Sequence, residues 1–177
     1  IGIDPDFAIC AEEDRAAMLK LACPQLTQGE VQSTLRAISA AKNALAAPEQ
    51  VEAAALSERY AAYEAALTAS YLLDFDDLIL RSVRLLETSD ETRAALQARY
   101  RWISVDEYQD VNAAQARLLD LLAGGGANLC VIGDPDQAIY GFRGADRSHF
   151  LAFEQQHPDA MPLQLTDNYR STQLILD

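Results

Sequence analysis

Lysine is almost missing from this chain. Two lysines, Lys20 and Lys42, stand against 27 acidic residues, and the formal net charge is -13. Affinity for nucleic acid rests largely on Lys and Arg neutralising phosphates, so the composition argues against an extended phosphate-binding surface. Any nucleic-acid contact must be local and must use arginine or aromatic stacking. Neither lysine follows a glycine: Lys20 follows Leu19 and Lys42 follows Ala41. The phosphate-cradling loop G-x-x-x-x-G-K-[ST] is therefore absent, and the chain as it stands is expected to bind ATP weakly or not at all. Histidine is confined to His149 and His157, and the three cysteines (Cys10, Cys23, Cys130) are widely spaced with no CxxC. That argues against zinc and against a disulfide framework, and for buried free thiols in a reducing compartment. No apolar run is long enough to span a bilayer, and no basic-then-apolar leader opens the chain. The first residue is Ile1 and not Met, which reads as a piece of something larger.

What is present is globular. Hydrophobic residues make up 50% and charged residues 23% of the 177, enough for one ordinary domain or a domain with a small helical appendage. The first 72 or so residues read as helices. Glu12 to Cys23 is amphipathic, and Thr27-Gln28-Gly29-Glu30 has capping-box spacing ahead of Val31, Leu35 and Ile38. Pro48 is placed to open a further helix running through Tyr60, Tyr63 and Leu67 to about Leu72. At Asp74 the character changes. Asp74-Phe75-Asp76-Asp77-Leu78 starts a helix with carboxylates at its positive end, and a short helix from about Asp90 to Arg99 follows. Strands are expected at about Trp102–Val105, Leu129–Ile132 and Pro162–Leu165, and helices at about Ala113–Ala123 and Asp146–Gln156. Gly124-Gly125-Gly126 ends the first of these helices. Alternating strand and helix implies an α/β fold with a parallel sheet.

Three constellations could carry chemistry. The apolar run Ile103-Ser104-Val105 ends in Asp106-Glu107-Tyr108-Gln109-Asp110, and carboxyl ends of strands are where open α/β sheets place ligands. Asp106 can hold Mg²⁺ through its water shell, and Glu107 can orient or deprotonate an attacking water. The second apolar run, Leu129-Cys130-Val131-Ile132, leads into Gly133-Asp134-Pro135-Asp136-Gln137 and on to Tyr140, Phe142 and Arg143. There Gln137 could touch a terminal phosphate, while Phe142 with Arg143 could stack on an unpaired base. The third is Asn168-Tyr169-Arg170-Ser171-Thr172, with a tyrosine able to stack on a nucleobase and an arginine able to stabilise a transferring phosphoryl group.

These segments resemble motifs II, III and IV of UvrD/Rep/PcrA-type superfamily 1 DNA helicases, in family order. Asp74 to Leu78 is similar to the segment leading back into the first motor domain of those enzymes, and Ile38 to Asn43 looks like part of their inserted helical subdomain. The resemblance implies a partial RecA-like parallel sheet over residues 73–177, the C-terminal part of motor domain 1A, preceded over residues 1–72 by an all-helical subdomain 1B. It implies that ATP and Mg²⁺ are the cofactors. Asp106 would be the metal ligand, and Glu107, Gln137 and Arg170 would act with it in catalysis. Tyr169, Gln109 and Asp110 would lie on the nucleotide side, and Tyr140, Phe142 and Arg143 on the DNA side. It implies 3′ to 5′ movement along single-stranded DNA with duplex unwinding, in the bacterial cytoplasm at the nucleoid and away from membranes. The partners would be single-stranded and duplex DNA, a preceding P-loop segment, a second motor domain of the same chain, and DNA-repair proteins. Three rivals differ in kind: a subunit of a RecB- or AddA-like helicase–nuclease, a non-enzymatic module that docks a repair partner, and a two-metal nuclease built on Asp106, Asp110, Asp134 and Asp136.

Overall fold

The computed structural model describes residues 3, 5–124, 128–139, 141 and 146–172. Its elements run β1 (Ala8–Ile9), α1 (Glu12–Ala22), α2 (Gln28–Asn43), α3 (Ala54–Ala69), β2 (Leu72–Leu73), α4 (Phe75–Thr88), α5 (Asp90–Arg99), β3 (Trp102–Val105), α6 (Ala113–Ala123), β4 (Asn128–Val131) and α7 (Ser148–Gln156). Local sequence explains where the helices start. Reciprocal capping boxes open three of them: Thr27 with Glu30 before α2, Asp74 with Asp77 before α4, and Asn112 with Gln115 before α6. Each satisfies backbone N–H groups that have no partner within the helix.

The first core is built where α1, α2 and α3 meet. Leu19, Val31, Ile38, Tyr60, Tyr63 and Leu67 are buried there with Cys10 and Cys23. A second cluster joins Val83 and Leu86 of α4 to Leu121 of α6, and a third packs Tyr108, Val111 and Ala116 against Phe150 and Phe153 of α7. The two pairs of strands are both parallel: Ala8 and Ile9 align with Leu72 and Leu73, and Trp102 through Val105 align with Asn128 through Val131. The β3–α6–β4 unit matches the expected alternation and makes the architecture mixed α/β.

Four expectations are corrected. Pro48 opens a three-residue 3₁₀ turn (Pro48–Gln50), and α3 starts only at Ala54. That helix stops short of Leu72, because Tyr71 turns into the left-handed region (φ 55°) and frees Leu72 and Leu73 to pair with β1. The first 72 residues are thus not purely helical. Pro162–Leu165 forms no strand; Leu163 and Leu165 alternate as strand residues do but are 85% and 95% exposed. Neither β3 nor β4 supplies its backbone with partners, and an unpaired strand has nothing to fix it. Finally, Cys130 is exposed where Cys10 and Cys23 are buried, because it points to the uncovered face of the two-stranded sheet, where Trp102 is 79% exposed. Gly124 caps α6 as expected, with its N–H on the Asp120 carbonyl; Gly125 and Gly126 lie outside the described residues.

Beneath α4 lies a buried ionic network. The Lys42 ammonium, 0% exposed, sits 2.7 Å from Glu64, 2.9 Å from Asp74 and 3.0 Å from Asp77. Arg15 donates to the Tyr63 hydroxyl (3.2 Å) and to Ser39 (2.8 Å), Tyr63 donates to Asp74 (3.1 Å), and Ser39 donates to Asp76 (2.6 Å). Burial pulls the Lys42 ammonium toward neutrality, but Asp74, Glu64 and Asp77 together more than reverse this and raise its pKa. Burial pushes the Asp74 carboxyl up, and Lys42 and Arg15 bring it below its ordinary value. The network ties α1, α2 and α3 to the start of α4, so residues on both sides of position 73 share one buried cluster.

Candidate functional site

Because β3 and β4 are parallel and in register, the loops that leave their carboxyl ends start side by side. Tyr108 donates its N–H to the Ile132 carbonyl (2.9 Å), and Ile132 donates to Val105 (2.8 Å), so the pairing continues past the strands and locks the two loops together. Asp106 and Glu107 are both exposed at this edge. Glu107 occupies the left-handed region (φ 53°, ψ 40°), a conformation that is costly for a residue with a side chain and that recurs at functional sites. Its N–H is held by Asp106 Oδ1 at 2.9 Å, and the second Asp106 oxygen has no hydrogen bond among the described residues and stays open.

Gln109 is 1% exposed. Its Nε2 donates to Glu107 Oε2 (2.7 Å), and its Oε1 accepts the N–H of Asp134 (3.0 Å). Asp134 in turn organises its own loop: Oδ1 accepts from the Asp136 N–H (3.0 Å) and Oδ2 from Gln137 Nε2 (2.8 Å). Glu107, Gln109, Asp134 and Gln137 are thus joined in one hydrogen-bonded series across both loops. The floor of this arrangement is aromatic, with the Tyr108 ring edge-on to Phe153 at 5.6 Å and tilted to Phe150 at 6.4 Å.

Gly133 is required by this packing. A Cβ there would lie 2.5 Å from Gln109 Oε1 and 2.9 Å from Phe150 Cε2. Gly133→Ala is expected to cost about 1–3 kcal/mol, the usual range for overpacking, and to displace Gln109. Chemical denaturation followed by circular dichroism checks this; an unchanged midpoint would show that the two neighbours move aside freely.

The structure brings together Asp106, Glu107, Gln109 and Gln137 among the residues singled out from sequence. Asp110 ends the short 3₁₀ turn Tyr108–Asp110, with Oδ1 buried and lacking a hydrogen bond among the described residues. Tyr169 and Arg170 are not brought in. Asn168 Oδ1 accepts the N–H groups of Arg170 and Ser171 (both 2.9 Å), while Tyr169 is 94% exposed, and no hydrogen bond or ion pair links either side chain to the other candidates among the described residues. Tyr140, Phe142 and Arg143 lie outside the described residues. Sequence reasoning missed Asp134 as the organiser of the second loop, and the glycine before it gave the available signal. It also missed the partners of Lys42, which lie 22 to 35 positions away in sequence and have no local signature.

The donor set suits Mg²⁺ better than a metal held by the protein alone. Among the described residues no three His, Cys, Asp or Glu side chains converge as a ligand group. Mg²⁺ keeps several waters and binds through one or two carboxylates plus substrate phosphates, and the open oxygen of Asp106 meets that need. The same lack of convergence gives the two-metal nuclease arrangement no support. Among the described residues, no helix is long and apolar enough to cross a membrane.

A family model described as the UvrD/REP helicase N-terminal domain matches residues 1–158. The ATP-dependent DNA helicase PcrA of Staphylococcus epidermidis is 40% identical over 188 aligned residues, covering 100% of this chain and 26% of that protein. The PcrA of Bacillus subtilis is 39% identical over 187, covering 99% and 25%, and that of Leuconostoc citreum 38% over 188, covering 100% and 25%. The chain spans about a quarter of the length of these relatives.

Proposed function

The chain belongs to the UvrD/REP helicase family, and from that premise we propose that it is the part of an ATP-dependent DNA helicase that carries the water-activating carboxylate. The observation that supports this most is the Glu107–Gln109–Asp134–Gln137 series at the carboxyl ends of two parallel strands, beside an Asp106 with one oxygen open. The longer parent hydrolyses ATP, moves 3′ to 5′ along single-stranded DNA and unwinds duplex. Residues 1–72 form the 1B-like subdomain, and residues 73–177 the C-terminal part of a RecA-like motor domain.

In this reading Glu107 accepts the proton of the water that attacks the terminal phosphate. Asp106 holds Mg²⁺, which when bound offsets negative charge on the phosphates. Gln137 contacts the γ-phosphate, Arg170 reaches the same group from the third motif, and Tyr169 stacks on the adenine. Gln109 and Asp110 support the nucleotide side from beneath. Tyr140, Phe142 and Arg143 contact single-stranded DNA by stacking and local charge, which fits a surface too acidic for a broad phosphate footprint. With no G-x-x-x-x-G-K-[ST] in its sequence, this stretch does not turn ATP over alone; a P-loop segment and a second motor domain of the parent complete the site. We place the parent's work on bacterial DNA, at the nucleoid, with repair proteins as partners; the bacterial DNA helicases it resembles support the first of these.

Strand displacement tests the reading. The full-length parent with ATP and Mg²⁺ is expected to unwind a duplex with a 3′ single-stranded tail and to leave a 5′-tailed duplex intact. Unwinding that needs no ATP, or none from either tail, would count against it.

A further inference from the structure

Gln109 is buried, yet both ends of its amide are spent inside the protein, one on each of the two loops. The direction of the amide follows from its neighbours. The Asp134 N–H can only donate, so the atom facing it must be the oxygen, and the NH₂ must then face Glu107. No other side chain of the described residues hydrogen-bonds the Glu107 carboxylate. Glu107 is already held in a left-handed backbone conformation by Asp106, so its carboxylate direction depends on this single donor. On the far side, the same amide takes the N–H of the residue whose carboxylate holds Gln137. Gly133 leaves the space in which Gln109 Oε1 sits.

We propose that Gln109 is a positioning residue that aims the Glu107 carboxylate and makes that aim depend on the Asp134–Gln137 loop. A displacement of Gln137 on contact with a phosphate pulls on Asp134, and Asp134 is bonded to the amide that holds Glu107. The series thereby links occupancy at Gln137 to the orientation of the water-activating group. The inference rests on the ATPase reading above and goes further by assigning Gln109 a role in aiming Glu107 rather than in contacting nucleotide.

The test is steady-state ATP hydrolysis by the full-length parent with Mg²⁺ and single-stranded DNA, in wild type, Gln109→Met and Gln109→Glu. Methionine keeps the length and apolar packing of the side chain and removes both hydrogen bonds. Its kcat is expected to fall about ten- to a hundredfold with KM for ATP within about threefold, since small errors in placing a reacting group cost rates of that order. Glutamate keeps the acceptor for Asp134 but faces the Glu107 carboxylate with a second one, and like charges repel, so its kcat is expected to fall at least as far, again with KM for ATP within about threefold. A structural role alone would move KM together with kcat. Wild-type kcat in either variant, or a KM that rises along with the fall in kcat, overturns the inference and leaves the ATPase reading standing. If the methionine variant misfolds, the glutamate variant decides. A folded wild type without turnover would overturn the ATPase reading and this inference with it.

Discussion

Lys42→Met is expected to destabilise the protein by about 3–5 kcal/mol, the cost of removing one partner from a buried ion cluster. Methionine fills most of the volume, so the loss is electrostatic. Asp74 and Asp77 are fully buried; without the ammonium, the cation left to Asp74 among the described residues is Arg15 at 3.5 Å, and the one left to Asp77 is Arg81 at 3.6 Å. Urea unfolding followed by circular dichroism reads the effect, and an unchanged midpoint would mean that the carboxylates are met in some other way. The same cluster sets the dependence of stability on pH. Asp74 titrates below its ordinary 3.8 in the folded protein, so its contribution is present above that value and is lost as pH falls through the lower, folded value. Lys42 titrates above its ordinary 10.5, so its contribution is present below that value and is lost as pH rises through the folded one. Glu64 and Asp76 are both raised, chiefly by burial. Protonating them favours the folded state and makes the upper part of the acid limb shallower. In Lys42→Met the alkaline loss should shrink.

Glu107→Gln is expected to lower ATP turnover by the full-length parent about 10²–10⁴-fold, the range that general acid–base catalysis supplies, while leaving nucleotide affinity within a few-fold. Glutamine is nearly isosteric and keeps an oxygen for the Gln109 amide, so the backbone at φ 53° and the hydrogen-bonded series persist. What it lacks is an oxygen basic enough to take a proton from water. Equilibrium binding of a fluorescent nucleotide separates the two effects. A variant that loses binding along with turnover would point to a fault in folding.

Much of the fold could be read from local sequence. Thr27 with Glu30 marks a helix start because a capping box spans four residues and needs nothing distant, and the carboxylates from Asp74 to Asp77 mark another through their attraction to a helix's positive end. The runs Trp102–Val105 and Leu129–Ile132 read as strands because each is apolar and is closed by polar turn residues, and they find each other across α6. Pro162–Leu165 carries the same signal and fails, because a strand is defined by its neighbours as much as by its own residues. Leu72 looked like the end of a helix for the converse reason: its partner, Ala8, lies more than sixty positions earlier. In the site, Asp106 and Glu107 could be identified as a pair, and Gln137 from its glycine-bearing loop. Gln109 was singled out beside them, but that its amide bridges the two loops could not be read, since a buried amide between two loops leaves no periodicity and no spacing rule. The ion cluster around Lys42 was hidden for the same reason: its members sit on three helices and a cap.

The central claim is that Glu107 belongs to an ATP-hydrolysing centre, and the most direct measurement is steady-state phosphate release by the full-length parent, with and without single-stranded DNA, beside its Glu107→Gln variant. The account predicts turnover in the wild type that DNA stimulates and that the variant lacks. Equal turnover in the two proteins, or a folded wild type that releases no phosphate with DNA present, would contradict it.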